Sequence, residues 1–136
     1  MLIVLDTNVL VSGLLKPFSA AGTILRLVAE GRIRVLYDAR ILAEYREVLR
    51  RPKFGFNPES VEVLLAQIEA DGVLITAEPV DTKALPDPTD APFLEIALAA
   101  GVPLVTGNKR HFPSSAIREI VVVSPGELVE KVSYSP

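Results

Sequence analysis

The sequence Leu2-Ile3-Val4-Leu5-Asp6-Thr7-Asn8 is a short apolar run that ends on an acid and two polar residues. Four consecutive apolar residues are typical of a strand that is buried on both faces, as the strands of parallel sheets are. A carboxylate directly after such a strand costs free energy unless a neighbour compensates its charge. Ligands of open parallel sheets bind beyond the carboxyl ends of the strands. Asp6 is therefore the first candidate for a functional residue.

Strand-like and helix-like segments alternate along the rest of the chain. The pattern predicts strands at 2–5, 33–37, 73–76, 104–106 and 120–123, and helices at 19–30, 39–51, 58–71, 91–100 and 125–132. We find no internal repeat, low-complexity tract or linker. The alternation predicts one α/β domain, residues 1–136, with a mostly parallel five-stranded sheet and helices on both faces.

Several helix ends carry recognisable end signals. Asn57 followed by Pro58 is typical of a helix start, and Gly72 is typical of a helix end. Ser124 and Glu127 have the spacing of a capping box. These signals predict both ends of the helix 58–71 and the start of the helix 125–132, independently of the apolar stripes of the two helices.

The composition excludes several classes of protein. The chain has no cysteine, which removes disulfides, thiolate zinc sites and a cysteine nucleophile. Its formal net charge of −3 argues against a non-catalytic nucleic-acid binder, but not against a nuclease whose acids are covered by metal cations. No apolar stretch approaches the roughly 18 residues of a transmembrane helix, and the first residues lack the basic segment of a signal peptide. We therefore expect a cytoplasmic protein without membrane contact.

Two basic segments are candidates for contacts to a nucleic-acid backbone, Arg50-Arg51-Pro52-Lys53 and Lys109-Arg110-His111. Solvated helix ends explain both segments equally well. His111 is the only histidine of the chain, so a histidine zinc site or a Ser-His-Asp triad is a poor fit. We interpret His111 as a substrate contact at most.

Four acids lie close to predicted strand ends or to the helices around them: Asp6, Glu44, Asp87 and Asp90. Each has an alternative explanation, and that of Asp6 is the cap of a turn that begins Thr7-Asn8. Glu44 lies at the border of the apolar arc of its helix, where a solvated glutamate is the default. Asp87 stands between two prolines and suits a turn. Asp90 occupies the position where an N-cap belongs, as Asp38 does for the predicted helix 39–51.

Carboxylates that converge from different elements are ligands that Mg²⁺ and Mn²⁺ prefer. Such ions activate a water molecule and stabilise the charge that develops on a phosphate during in-line attack. The acids therefore predict a divalent-metal site suited to phosphodiester hydrolysis.

The segments 3–10, 85–97 and 104–108, with Glu44 between them, resemble the PIN-domain family, and more narrowly its VapC-like branch of toxin components. The resemblance runs from residue 2 to about residue 132. It implies a three-layer α/β/α sandwich and a Mg²⁺- or Mn²⁺-dependent endoribonuclease that hydrolyses RNA, the toxin of a type II toxin–antitoxin pair. Asp6, Glu44 and Asp90 match three of the family's acidic positions, so we expect them to hold the metal and to be catalytic.

The resemblance also implies roles for the polar residues around these acids. Thr7, Asn8 and Thr106 are expected to position ligands or water. Lys109 and Arg110 are expected to contact the substrate.

The chain departs from the family's pattern at Asn108, where many members carry a fourth aspartate. An amide oxygen can bind a metal, but it carries no charge and cannot act as a general base. We therefore expect either a weaker second ion or compensation by Asp87, with Asn108 and Asp87 as additional metal ligands.

The implied partners are an RNA substrate, a second copy of the chain and a small antitoxin with a segment in the acidic cleft. Val63, outside the main stripe of its helix, is compatible with a dimer surface. One alternative function is a catalytically weakened PIN-fold module that binds RNA or protein, with Asn108 as the sign of weakening. An aspartyl-phosphate phosphatase fits poorly, because Asn8 stands where its second aspartate is expected.

Overall fold

A computed structural model describes residues 1–117 and 119–133 of the chain. Within these residues five strands form one sheet: β1 (Leu2–Leu5), β2 (Arg34–Tyr37), β3 (Val73–Leu74), β4 (Leu104–Val105) and β5 (Val122–Val123). Their order across the sheet is β3-β2-β1-β4-β5, and all four pairings are parallel. The direction of winding reverses between β1 and β4. In open α/β sheets such a switch point is where ligands bind.

Helices flank this sheet and give the predicted three-layer α/β/α arrangement. In the described residues they are α1 (Thr7–Leu15), α2 (Ala20–Ala29), α3 (Ala39–Leu49), α4 (Pro58–Asp71), α5 (Ala91–Ala100), α6 (Ser114–Ile117) and α7 (Pro125–Ser133). Helix α5 packs against β1, β2 and β4, and α2 packs against α1, α4 and α7. The fold-class prediction is confirmed, with every strand pair parallel.

Tyr45 connects the core to the switch point. It is among the largest fully buried side chains, and its hydroxyl donates a hydrogen bond to the carbonyl of Leu5. A buried tyrosine contributes a large apolar contact and still needs a partner for its hydroxyl, which the end of β1 supplies. Helix α3 is thereby fixed beside the carboxyl end of β1, with Glu44 one residue away from the anchor.

The predicted end signals are confirmed where they are most specific. The Asn57 side chain accepts hydrogen bonds from the amides of Glu59 and Ser60. Ser124 and Glu127 bond to each other's backbone amides at 3.1 and 3.0 Å, which is a capping box. Four strands were predicted one or two residues too long, at 33–37, 73–76, 104–106 and 120–123.

Helices α1 and α6 were not predicted. Helix α1 begins directly after β1, and apolar residues occupy most of its circumference, so they form no clean amphipathic stripe: Val9, Leu10, Val11, Leu14 and Leu15. A Cβ on Gly13 would lie 2.6 Å from a methyl carbon of Leu25, so glycine lets α1 and α2 approach closely. Close packing on several sides explains why helical periodicity is weak here.

No single helix in residues 1–117 and 119–133 is long and apolar enough to cross a membrane. Helices α1 and α2 together have sufficient length, but they are bent by 100° at their junction.

Candidate active site

Asp6 and Thr106 meet at the switch point of the sheet. Asp6 follows β1 and Thr106 follows β4, and the register pairs Leu5 with Val105 just before them. The Thr106 hydroxyl donates to Asp6 Oδ2 at 2.7 Å, and both side chains are buried. Residues one hundred positions apart in sequence are thus brought together by strand pairing.

Asn8 links helix α1 to the loop after β4. Its Oδ1 accepts a hydrogen bond from the Gly107 amide at 3.0 Å, and its Nδ2 lies 3.5 Å from Thr106 Oγ1. The Thr106 oxygen also accepts from the Asn108 amide at 3.1 Å. Because this oxygen already accepts hydrogen bonds, its own proton is directed towards Asp6. Asn8 and Thr106 therefore orient the Asp6 carboxylate.

Glu44 reaches the same area from helix α3, and the Thr7 hydroxyl donates a hydrogen bond to its Oε2. Desolvation raises the pKa of Glu44, and the negative charges of Asp6 and Asp87 raise it further, while the bond from Thr7 lowers it. Because the charges of Asp6 and Asp87 change this pKa, Glu44 lies within electrostatic reach of both carboxylates.

Asp90 stands at the N-cap position of α5, but its side chain does not cap the helix. Its backbone is helical (φ −79°, ψ −8°), because the 3-10 turn Pro88–Asp90 runs directly into α5, and side-chain capping needs an extended N-cap residue. The capping alternative for Asp90 is therefore wrong. The residue is only 8% exposed, and its buried Oδ2 has no hydrogen-bond partner within the described residues apart from the contact with His111.

His111 is the neighbour of that oxygen, with Nδ1 3.0 Å from Asp90 Oδ2. Burial raises the pKa of Asp90 to about 6, with a further upward contribution from the charge of Asp6 and an opposing one from His111. Burial also raises the pKa of Asp6. The charge of Asp6, after β1, thus opposes the charges of two other acids, Glu44 on α3 and Asp90 at the start of α5.

Asp87 and Asn108 are engaged in local turns. Asp87 Oδ1 accepts from the amide and hydroxyl of Thr89 at 2.9 and 2.7 Å, and these bonds lower its pKa. The side chain of Asn108 is exposed, and its Oδ1 accepts from the Arg110 amide at 3.2 Å. Asp87 is an electrostatic neighbour of the cluster, whereas the amide oxygen of Asn108 caps the turn Lys109–His111.

The two predicted basic segments are partly neutralised by acids. Lys109 forms an ion pair with Glu127, which helps to lower the pKa of that carboxyl to about 2. Arg50 pairs with Glu62, and Arg51 pairs with Glu47. Arg110 is exposed beside Lys109. Of the two segments, 109–111 lies next to the acids and 50–53 follows the far end of α3.

The donor chemistry of this cluster fits a hard divalent cation. Carboxylate oxygens predominate, Asp6 repels both Glu44 and Asp90, and the buried Oδ2 of Asp90 contacts only His111 among the described side chains. As placed, no group of three or more His, Asp or Glu side chains within residues 1–117 and 119–133 could hold a metal at once. Binding an ion therefore requires the carboxylates to rotate towards one another.

The contact of His111 with Asp90 was missed by sequence reasoning. The one sequence feature that indicates this contact is Asn108, which begins the turn Lys109–His111. The turn folds the chain back, so that His111 lies near the end of β4. Nothing in the local pattern indicates which acid that residue meets.

The family model for the PIN domain matches residues 2–110. The chain belongs to the PIN domain family. The matched segment begins at β1 and ends within the turn that carries Lys109 and Arg110. It therefore includes the four candidate acids, Asp6, Glu44, Asp87 and Asp90.

Solved structures share this PIN fold at low sequence identity. The crystal structure of FitAcB from Neisseria gonorrhoeae is 19% identical, with a TM-score of 0.58, and the match covers 93% of this chain and 99% of that one. The crystal structure of VapBC2 from Rickettsia felis bound to a DNA fragment from their promoter is 16% identical, with a TM-score of 0.55, and covers 91% and 98%. A comparison with curated proteins gave no match.

Proposed function

We propose that the protein is a metal-dependent endoribonuclease that hydrolyses phosphodiester bonds of RNA. The observation that carries the proposal is the buried Asp6 at the switch point of a PIN-domain sheet, with Glu44 and Asp90 both within electrostatic reach of it. Buried or half-buried carboxylates with raised pKa values are a costly arrangement for a structural role. A divalent cation removes that cost, and perturbed groups of this kind cluster at functional sites.

Asp6, Glu44 and Asp90 would hold Mg²⁺ or Mn²⁺, which when bound supplies an activated water molecule and positive charge beside the scissile phosphate. Thr106 keeps the Asp6 carboxylate in one orientation, and Thr7 does the same for Glu44. Both hydroxyls reduce the number of side-chain orientations that must be lost when an ion binds. Asp87 adds negative charge at the edge of the cluster.

Lys109 and Arg110 are the proposed contacts to the RNA backbone. Both are exposed next to the acids, and Lys109 can exchange its surface ion pair with Glu127 for a phosphate at little cost. Backbone contacts of this kind position a substrate without reading its sequence.

The proposal is tested with labelled single-stranded RNA and protein that has been freed of divalent ions. We expect no cleavage in EDTA, cleavage after addition of Mn²⁺ or Mg²⁺, and loss of cleavage when EDTA is restored. Cleavage at full rate in EDTA would contradict a metal-dependent mechanism.

The alternative function is a weakened PIN-fold module that binds RNA or protein without cutting it. The observation that favours it is Asn108, whose uncharged amide oxygen is bonded within its own turn. Calorimetry with Mn²⁺ separates the two functions, since a module without a metal site gives no binding heat and no thermal stabilisation.

We further propose a cytoplasmic toxin that pairs with a cognate antitoxin. The support is the fold shared with VapBC2 and FitAcB. Growth arrest on expression of the wild type, relieved by co-expression of the antitoxin or by Asp6→Asn, is the expected result. Growth arrest that Asp6→Asn leaves unchanged would contradict a toxin acting through this site.

A homodimer is the proposed assembly, with Val63 on α4 as a candidate contact because it is 70% exposed. Sedimentation is expected to give twice the mass of the chain, and Val63→Glu to give the monomer. Val121→Glu is the matched control, since Val121 is also an exposed valine but lies beside β5. A monomeric wild type would contradict the homodimer.

A further inference from the structure

We propose that His111 is a ligand of the metal together with Asp90, so that the ion is bound by mixed oxygen and nitrogen donors. This inference rests on the proposed function and adds a residue type that the acidic motif lacks. Its consequence is selectivity, because imidazole nitrogen favours Mn²⁺ and especially Ni²⁺ over Mg²⁺, which prefers oxygen donors alone.

The first support is the geometry of the His111–Asp90 contact. His111 Nδ1 lies 3.0 Å from Asp90 Oδ2, and within the described residues that buried oxygen has no other hydrogen-bond partner. Two adjacent ligands of an octahedral ion, each about 2.1 Å from it, lie roughly 3.0 Å from each other. The two atoms therefore also have the separation of neighbouring ligands, and an ion that displaced the proton between them would contact both.

The second support is how the chain fixes His111. Asn108 begins the turn Lys109–His111 by accepting the Arg110 amide, and the His111 amide returns to the Asn108 carbonyl at 3.2 Å. Phe112 follows directly and is 2% exposed, so its burial holds the end of the turn against the core. The histidine is thus anchored on both sides.

Asn108 and His111 are linked by this turn. The amide oxygen that could have served as a weak ligand is used to shape the turn, and the turn brings a stronger donor beside Asp90. Asp6 and Glu44 remain as the oxygen ligands from the other elements. Their carboxylates must rotate to complete the set, since no three of the described His, Asp or Glu side chains could hold an ion as placed.

The inference is tested by pulsed electron paramagnetic resonance of Mn²⁺ bound to the untagged protein. His111 is the only histidine in the chain, so an imidazole nitrogen coupling has one possible source. We expect this coupling in the wild type, with the changed frequencies of ¹⁵N when histidine is isotopically labelled. Bound Mn²⁺ without nitrogen coupling would overturn the inference and leave the carboxylate site standing.

Calorimetry on His111→Gln provides the second measurement. We expect affinities for Ni²⁺ and Mn²⁺ to fall about 10–100-fold, as on loss of a metal-site group, and the affinity for Mg²⁺ to change much less. The side chain of His111 is 39% exposed, so the variant is expected to fold, which circular dichroism checks. Equal losses for all three ions would overturn the selectivity. Absence of Mn²⁺ binding by the wild type would overturn the proposed function and this inference together.

Discussion

Asp90 illustrates how one backbone conformation separates a structural acid from a candidate catalytic one. With an extended backbone its side chain would bond to the first amides of α5, as Asp38 does for α3. The helical backbone of Asp90 turns the carboxylate towards Asp6 and His111 instead. Its pKa of about 6 records that environment.

The raised pKa of Asp90 makes stability depend on pH. Because the folded state holds this proton more tightly than the unfolded state, whose pKa is near 3.8, the contribution is fully present below about pH 4 and is lost as pH rises through about 6. We expect a loss of about 1–3 kcal/mol, since one pKa unit corresponds to about 1.4 kcal/mol. Urea unfolding between pH 4 and 8 without divalent ions measures it.

Asp90→Asn is the matched variant for this measurement. It keeps the shape and removes the titrating group, so it should be more stable than wild type at pH 7.5 and lose the pH-dependent step. An identical pH dependence in both proteins would show that Asp90 is not the group responsible.

Thr106→Val removes one hydroxyl and keeps the β-branched shape. We expect the fold to survive and the affinity for Mn²⁺ to fall about 10–100-fold, because Asp6 loses the bond that orients it. Thr23→Val is the control, since Thr23 lies on α2, away from the acids, and its hydroxyl donates a hydrogen bond to the carbonyl of Ser19. Calorimetry measures the affinities, and equal values for both variants would remove Thr106 from the positioning network.

At the scale of elements, helix ends were predicted correctly where the hydrogen bonds that define them are local. The cap at Asn57 and the box of Ser124 and Glu127 depend on groups within three residues, and both were confirmed. Helix α1 was not predicted because its apolar residues occupy most of its circumference and mark no single buried face. The predicted ends of four strands were wrong because a strand ends where its pairing with the neighbouring strand ends.

Helices α3 and α5 are joined by an ion pair that sequence reasoning did not identify. Arg40 Nη1 lies 2.6 Å from Glu95 Oε1, and Glu95 is 5% exposed, with the Val80 amide as its other partner. The pair lies one helical turn before Glu44, so it also sets how α3 faces α5. Charged residues on two helices show no local sign of such a pairing.

Arg40→Met is expected to destabilise the protein by about 1–3 kcal/mol, because it leaves the buried Glu95 without its half-exposed cation and also removes the pair of Arg40 with Asp38. Arg50→Met is the matched control, since Arg50 pairs with the half-exposed Glu62 and such pairs contribute about 1 kcal/mol or less. Urea denaturation at pH 7.5 measures both free energies of unfolding. Equal losses in the two variants would show that the Arg40 pair behaves as a surface pair.

At the scale of the whole molecule, strand order decides which residues meet. The order β3-β2-β1-β4-β5 puts Thr106 beside Asp6 and leaves both at the switch point. The sequence identified these residues from their places after apolar strands and from the family resemblance. The contact between His111 and Asp90 depends on the path of the chain after β4, which no local pattern specifies.

The most direct test of metal-dependent cleavage at this site compares Asp6→Asn with Asp81→Asn on labelled single-stranded RNA. Asp81 is exposed and only caps a 3-10 turn through the Lys83 amide, which asparagine does equally well. We predict that wild type and Asp81→Asn cleave at the same rate in Mn²⁺, that neither cleaves in EDTA, and that Asp6→Asn does not cleave. A folded Asp6→Asn protein that cleaves as fast as wild type would contradict the assignment of this site.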